Sequence, residues 1–297
     1  MADEVARQTK LAYSDFFASL AESAHANISM LTGEWANMLN AMRVAHSDQH
    51  WQMVIRLAQN MAEAWNTAGR YTDARTAYAL ACDTAQKIGD DHALEGFLAQ
   101  WGRACVRQAD YAEAQHHFER GRELAHKPID AMNIALIDYE MAQLDIELGR
   151  AQTAHERLDE CLDIAEELNL ASLIGETYRQ KARIHYNTHD TENAESFARR
   201  ALETHQLHSA PAQQLLALRV LGDVIRELWA LSKQDAHRVE YEHLWQTAMR
   251  LNTDTVQDAR EECLLRYSRL QFLRFRKEWG LFEQEWPECD RQLRWIE

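Results

Sequence analysis

Arginine side chains recur in this sequence at intervals of forty residues. Arg179 and Arg219 lie forty positions apart, and Arg103 and Arg183 lie eighty apart. A guanidinium group donates paired hydrogen bonds to a carboxylate or a phosphate, so arginines gathered on one surface can bind an anionic segment. We expect this chemistry if residues forty apart stack on successive structural units.

The predicted peptide- or anion-binding site joins arginines to polar residues that fall on the same stacked positions. Its ten residues are Arg103, Arg107, Tyr139, Gln143, Arg179, Arg183, Tyr186, Asn187, Arg219 and Arg226. In the competing interpretation, acidic neighbours pair with the arginines and neutralise the face, as solvated ion pairs on helices commonly do. Those neighbours are Glu63, Glu147, Glu176, Asp223 and Glu227.

No motif in the sequence predicts catalysis or a cofactor. The chain has no serine elbow and no glycine-rich phosphate loop. His46 and His50, like His185 and His189, are spaced so that both imidazoles would share one helical face. Neither pair belongs to an H-E-x-x-H motif or has an evident third ligand. We therefore predict no catalytic residue, no metal site and no cofactor.

Two features near the C-terminal end could serve other partners. A basic stretch consists of Arg266, Arg269, Arg274, Arg276 and Lys277. Nucleic-acid contact is one interpretation of such a stretch, but a solvated helix face is the expected one. An aromatic stripe with helical spacing consists of Phe272, Phe275, Trp279, Phe282 and Trp286. We expect it to be core, whereas an exposed stripe would dock a partner such as a second copy of the chain.

Composition indicates an all-α protein that avoids polyanions. The 297 residues include only 10 Gly and 3 Pro, and no run alternates apolar and polar residues as a strand does. The net charge of −15 repels nucleic acid and anionic membranes, and no apolar run is long enough for a membrane helix. Five cysteines without C-x-x-C spacing and an N-terminus unlike a secretory signal predict a cytoplasmic protein.

The elements that must position the arginines are predicted by small residues at the same period. The clearest series is Ala62, Gly102, Ala142, Ala182 and Gly222. Two antiparallel helices can approach closely where a side chain is nearly absent, and self-similarity at this period indicates stacked helical hairpins.

The predicted organisation has a cap, five repeats and a degenerate hairpin. The cap, residues 1–50, holds a long helix at about 4–31 and a shorter one at about 34–46. The repeats span about 51–90, 91–130, 131–170, 171–210 and 211–252. The last hairpin, 253–297, has helices at about 255–277 and 281–295, and Pro287 is expected to kink or shorten the second.

One segment resembles the tetratricopeptide repeat. It contains Gly69, Tyr71 and Ala74, followed by Tyr78 and Ala81. The segment Ala109-Asp110-Tyr111-x-x-Ala114, with Phe118 and Gly121, is similar. The resemblance implies a right-handed α-solenoid in which the first helix of each hairpin lines a concave groove. The family period is about 34 residues, so a period of forty implies longer helices.

A narrower resemblance is to the C-terminal sensor arrays of STAND and NB-ARC-type signalling ATPases. It rests on residues 34–41 and Trp51, which look like the lead-in to those arrays, although the sequence has no P-loop. Rap-type peptide-sensing regulators share the architecture.

These resemblances and the arginines predict a non-catalytic scaffold or sensor that binds an acidic protein or peptide segment in signalling or regulation. Two alternatives stay open. The same arginines could bind phosphate in a nucleotide or small-molecule sensor, or the chain could be a structural module that forms homo-oligomers.

Overall fold

The computed structural model describes residues 2–23, 28–31, 33–125 and 130–296. Within these ranges all regular structure is helical, and no strand occurs. The predicted all-α class is therefore confirmed. None of the helices in the described ranges combines the length and apolar character needed to cross a membrane.

The N-terminal segment contains a long helix and a shorter one, as predicted, but the long helix ends earlier than predicted. Helix α1 (Ala2–Ser23) is followed by a 3₁₀ turn (Ile28–Leu31) and by α2 (Trp35–Ser47). The predicted helix over 4–31 is wrong at its C-terminal end, although its residues 24–27 lie outside the described part of the chain. Ser23 Oγ donates a hydrogen bond to the carbonyl of Ser19 at 2.9 Å. Serine and asparagine, common in this segment, compete with helical hydrogen bonds in this way.

Five helix pairs follow, and their starting positions repeat every forty residues. The first helices are α3 (Trp51–Thr67), α5 (Asp91–Arg107), α7 (Ala131–Glu147), α9 (Ala171–Asn187) and α11 (Pro211–Ser232). Their partners are α4 (Tyr71–Ile88), α6 (Tyr111–Leu124), α8 (Ala151–Glu167), α10 (Thr191–Leu207) and α12 (Asp235–Leu251). Each first helix begins forty residues after the previous one, and so do the second helices up to α10. The predicted period is confirmed.

The turns inside the pairs repeat as well. Residues 69, 109, 149 and 189 all have a left-handed backbone, with φ of 65°, 58°, 73° and 61°. In the second turn, the N–H of Asp110 bonds to the carbonyl of Cys105 at 2.9 Å, and that of Ala109 to Val106 at 3.0 Å. These two bonds satisfy carbonyls that the end of α5 would otherwise leave unpaired.

The small-residue series marks close contacts between paired helices. Ala74, Ala114, Ala154 and Ala194 have no exposed surface. A Cβ atom added at Gly102 would lie 2.5 Å from Cε1 of Phe118, which is shorter than carbon atoms can approach without a shift. Glycine at this position is therefore what allows α5 and α6 to pack around the Phe118 ring.

The chain ends with a π turn (Asn252–Val256), α13 (Ala259–Arg276) and α14 (Trp279–Ile296). Helix α13 begins later than predicted because Asp258 caps it, accepting from the N–H of Arg260 at 2.8 Å and of Glu261 at 3.0 Å. Helix α14 continues through Pro287, so the predicted shortening is wrong. Pro287 and Glu283, whose carbonyl loses its helical partner, are both exposed, and water can satisfy that carbonyl.

The chain divides into two compact units, Met1–Gly149 and Arg150–Glu297. The N-terminal unit contains α1–α7, and Trp65, Tyr78 and Phe118 are fully buried in it. The C-terminal unit contains α8–α14, and Tyr241 and Phe272 are its large buried rings. The cap and repeat boundaries at about residues 50 and 252 stay predictions.

Candidate functional site

A cavity of about 330 Å³ lies in the N-terminal unit on the first helices of three successive pairs. It is lined by Ala58, Gln59 and Ala62 of α3, by His92, Ala93, Gly96, Phe97, Ala99, Gln100 and Arg103 of α5, by Asn133, Leu136 and Glu140 of α7, and by Tyr78 of α4. Small residues dominate the α3 and α5 walls. At Gly96, an added Cβ atom would meet nothing within 4 Å, so the backbone there is open to close approach by a bound molecule.

Two buried polar groups in the cavity wall have no hydrogen-bond partner in the described ranges. They are the hydroxyl of Tyr78 and Oε1 of Gln100. Burial raises the pKa of the Tyr78 phenol, so this group stays protonated and able to donate. An unmade hydrogen bond at a buried group is unfavourable by about 1–3 kcal/mol. A ligand that offers one donor and one acceptor would recover these bonds once side chains in the wall shift to expose the two atoms, which are closed to solvent.

Arg103 is the cation of this cavity. Its side chain is 39% exposed, and its Nε lies 3.6 Å from Oε1 of Glu140. That distance permits ionic attraction but is longer than a good hydrogen bond. Since half-exposed ion pairs of this kind contribute little, a ligand carboxylate can compete with Glu140 for the guanidinium.

The other predicted residues of the N-terminal unit lie outside the cavity lining. Gln143 donates to Glu140 at 3.1 Å, and Glu140 is the carboxylate that Arg103 also contacts. Arg107, the last residue of α5, is exposed, and Tyr139 is 8% exposed. Tyr78, Gln100 and Gly96, which are not among the ten predicted site residues, contribute more to the cavity than these three.

In the C-terminal unit, Arg226 lies at the centre of a polar network. The arginine, 7% exposed, donates to Tyr186 Oη and to Asp223 Oδ1, both at 3.2 Å, and also to Gln271. Burial raises the pKa of Tyr186. A cavity of about 260 Å³ adjoins this network, and Leu231 and Phe275 form part of its wall.

The remaining arginines of the predicted site also contact groups of the chain itself. Arg179 Nε lies 3.0 Å from Glu176 Oε2, and Arg219 Nε lies 2.7 Å from Glu261. Arg183 donates to Gln180 at 3.0 Å, and Asn187 is exposed.

The ion-pair interpretation thus describes some of these contacts but not all of them. Glu176 and Asp223 pair with arginines as that interpretation expects, whereas Glu227 contacts His189 at 2.9 Å. Glu140 and Glu261, which neither interpretation named, supply two of the observed partners. The side chain of Glu63 lies outside the described part of the chain. Ligand binding by the ten residues stays a prediction.

Three of the four paired histidines contact carboxylates of the chain. His46 contacts Asp83 at 2.5 Å, His185 contacts Asp190 at 3.0 Å, and His189 contacts Glu227. Because the two members of the second pair bond to different carboxylates, their spacing has a local structural explanation.

The C-terminal basic stretch is largely paired with acidic residues. Arg266 lies 2.7 Å from Glu262, and Arg276 lies 2.6 Å from Glu242. Such contacts fit the expected solvated helix face.

The aromatic stripe divides between core and surface. Phe272 is fully buried, whereas Phe275, Trp279 and Trp286 are 54%, 52% and 41% exposed. The expectation that the whole stripe is core is therefore wrong, because three of its five rings are at least 41% exposed. Self-assembly through these rings stays a prediction.

The structure resembles solved proteins although its sequence has no close match. No protein-family model and no curated protein matches the chain. A Rap protein complexed with competence and sporulation factor shares 12% identity at a TM-score of 0.65, covering 99% of this chain and 88% of that one. The apo form of RapI shares 10% identity at a TM-score of 0.66, and the match covers 95% of this chain and 98% of RapI. BtubC (BKLC) from P. vanneervenii shares 18% identity at a TM-score of 0.59, and the match covers 75% of this chain and 92% of BtubC.

The fold is that of a tetratricopeptide-like helical repeat. At these identities the similarity establishes the architecture alone, and function has to be argued from the site. The tetratricopeptide-like array uses longer helices than the family's usual repeat, since most of its helices have 17 residues and its period is forty.

Proposed function

We propose that this array is a non-catalytic binding module that holds a protein or peptide segment in the cavity of the N-terminal unit. The observation that carries the proposal is the cavity wall, in which the unpartnered Tyr78 hydroxyl and Gln100 Oε1 accompany the partly exposed Arg103. A mostly apolar cavity with a few convergent polar groups is the usual form of a ligand site.

The wall suits a peptide in particular. A peptide unit offers one N–H donor and one carbonyl acceptor, which are the groups that Gln100 Oε1 and the Tyr78 hydroxyl lack. The open space at Gly96 and the small side chains of Ala58, Ala62 and Ala99 leave room for a backbone to lie against α3 and α5.

The charge of the site favours an acidic residue in the segment. Arg103 can bind a carboxylate with two parallel hydrogen bonds, and Glu140 would then be displaced or rearranged. The net charge of −15 opposes strongly acidic partners at long range. The preferred segment therefore carries one or two carboxylates at a defined position rather than an acidic run.

The role that follows is that of an adaptor or a sensing module in regulation. A Rap protein of similar fold is complexed with competence and sporulation factor, so that protein uses this architecture for binding. A role as the sensor of a STAND-type ATPase would require an ATPase outside this sequence, which contains no P-loop.

The test is a random-peptide array probed with the full chain and with two charge-reversal variants. Arg103→Glu changes the cation in the cavity, whereas Arg107→Glu makes the same change four residues further on. Arg107 lies outside the lining, so the proposal no longer includes it among the binding residues. We expect the wild-type chain and Arg107→Glu to select peptides enriched in Asp or Glu at one position, and Arg103→Glu to lose that preference. Equal behaviour of the two variants would disprove the assignment.

A nucleotide or small-molecule sensor is the second candidate, and the smaller cavity of the C-terminal unit favours it. There Arg226 lies beside the half-exposed ring of Phe275, a pairing that could take a phosphate and a base. A ligand that binds the folded state raises the melting temperature. A thermal-shift screen with nucleotides and with the selected peptides separates the candidates, because Arg226→Gln would abolish only a nucleotide response.

A further inference from the structure

Three metal-ligating side chains meet beside the cavity of the N-terminal unit. His92 and Glu95 lie one turn apart on α5, and Asp130 precedes α7. One donor atom from each residue lies within 4.8 Å of the donor atoms of the other two. A cation placed among three such atoms would be within coordinating reach of all of them after small side-chain adjustments.

Glu95 is the observation that points to a cation. Its side chain has no exposed surface, and its Oε1 has no hydrogen-bond partner in the described ranges. The other oxygen accepts from Asn133 Nδ2 at 3.1 Å. A buried carboxylate in this position needs a positive partner or a proton.

The neighbouring groups are already arranged as they would be around a metal. His92 Nδ1 lies 2.9 Å from Asp130 Oδ1, and Asn133 Nδ2 lies 3.3 Å from the same ring nitrogen. The oxygen and nitrogen of an asparagine amide exchange places on rotation by 180°. In the rotated form, Asn133 offers Oδ1 as a fourth donor. The His92 side chain is 67% exposed, which leaves a path for a cation to enter from solvent.

A second cluster in the same unit lacks these properties. Cys105, Glu113 and His117 also bring donor atoms together. There, however, the guanidinium of Arg75 contacts both Glu113 and Asp110, so the carboxylate already has a cation. Burial raises the pKa of Cys105 to about 12, which keeps the thiol protonated and a poor ligand.

We propose that His92, Glu95 and Asp130, with Asn133 as fourth ligand, bind one divalent transition-metal ion. The mixed set of one imidazole nitrogen and several oxygens suits Zn²⁺ or Mn²⁺, whereas Ca²⁺ takes oxygen ligands alone. The ion would join α5 to the start of α7 at one end of the cavity. This site does not depend on the proposed function, since its ligands are defined without any peptide.

The test is isothermal titration of Zn²⁺ and of Mn²⁺ into the full chain after removal of metal with a chelator. We expect one site per chain for at least one of the two ions. We expect Glu95→Gln and His92→Ala each to weaken that site about tenfold or more, the range seen when a ligand or its support is lost. The matched control is His116→Ala, which removes an exposed histidine from α6 in the same unit and should leave affinity unchanged.

His92→Ala keeps the test decisive, because a largely exposed side chain can be removed without disturbing the fold. Circular dichroism of each variant verifies folding before titration. With Co²⁺ as a visible probe, the d–d spectrum of the wild-type chain should change when Asn133 is replaced by Leu. Failure of both ions to bind, or equal affinity of His92→Ala and the wild-type chain, would overturn the proposal.

Discussion

The ring of Phe118 packs against the α carbon of Gly102 so closely that a Cβ atom there would lie 2.5 Å from Cε1 and 2.7 Å from Cδ1. Phe118 has no exposed surface and is part of the buried cluster with Ile137 and Leu144. The ring cannot move away without disturbing α7 as well. The contact therefore fixes the distance between α5 and α6.

Gly102→Ala should destabilise the protein despite its gain in helix propensity. Overpacking a filled core costs about 1–3 kcal/mol, and alanine recovers about 1 kcal/mol over glycine in a helix. We expect a net loss of up to about 2 kcal/mol, measured by urea unfolding. Gly96→Ala on the same helix is the control. Its Cβ would meet open space, so we expect it to stabilise, and equal effects of the two changes would contradict the packing argument.

At the turn residue Ala109, the opposite replacement, of alanine by glycine, should be the stabilising one. Ala109 adopts a left-handed backbone with φ of 58°, whereas the equivalent residues Gly69 and Gly149 are glycines. A left-handed conformation costs an alanine about 1–2 kcal/mol, and the flexibility of glycine in the unfolded chain offsets about half of that. Ala109→Gly should therefore raise the free energy of unfolding by about 0.5–1 kcal/mol.

Gly69→Ala is the matched reversal of that change and should lower stability by a similar amount. Both variants can be compared by urea unfolding under the same conditions. If Ala109→Gly is destabilising, strain at the turn is not what this position contributes.

The sequence predicted the period because small residues, turns and helix starts all repeat together. Ala74 and Gly69 occupy the same places in their pair as Ala114 and Ala109 do in the next. The first place requires a small residue for a close approach, and the second is a left-handed turn that favours glycine. Such local demands are visible without coordinates.

The partners of the arginines were less accessible to sequence reasoning. Arg219 contacts Glu261, and Arg226 contacts Gln271, at separations of 42 and 45 residues rather than forty. Helix α11 has 22 residues where the earlier first helices have 17, so the repeat shifts beyond it. A series of positions spaced forty residues apart therefore does not include Glu261 and Gln271.

The cluster of His92, Glu95 and Asp130 was missed for a different reason. Asp130 lies at a joint between two pairs, whereas residue spacing in a sequence reveals only ligands that share one helical face. Only the packing of α5 against the start of α7 brings a histidine and a carboxylate 38 positions apart within 2.9 Å.

Tyr78→Phe tests whether the buried hydroxyl serves a ligand. The Tyr78 Oη atom has no hydrogen-bond partner in the described ranges, so its removal should leave the free energy of unfolding unchanged or raise it by up to about 1 kcal/mol. If a bound peptide accepts from this hydroxyl, its affinity should fall about fivefold to tenfold. Fluorescence anisotropy with a peptide selected on the array measures that loss.

Tyr71→Phe provides the matched control, since its hydroxyl reaches only the carbonyl of Asn66 at 3.5 Å and lies outside the cavity lining. Peptide affinity should not change in that variant. A Tyr78→Phe protein that binds as tightly as the wild-type chain would show that the hydroxyl faces no ligand.

The buried His205 should make the stability of the array fall in mild acid. The ring is 1% exposed and lies against Gly175, where an added Cβ would be 2.4 Å away from its Cε1. Burial lowers the pKa of His205, Glu176 acts in the opposite direction, and Arg179 and His208 lower it further. The folded state therefore binds this proton less readily than the unfolded state does.

The sign of the effect follows from that difference in proton binding. Above the ordinary histidine value of about 6.5 the ring is neutral in both states, and its burial contributes in full. As the pH falls below that value, the unfolded chain takes up the proton first, and the free energy of unfolding decreases. Urea unfolding at about pH 7.5 and about pH 5.5 should show a smaller decrease for His205→Gln than for the wild-type chain. His243→Gln, which changes an exposed histidine of α12 that is not among the groups shifting the pKa of His205, should keep the wild-type dependence. A His205→Gln protein with that same dependence would contradict the assignment.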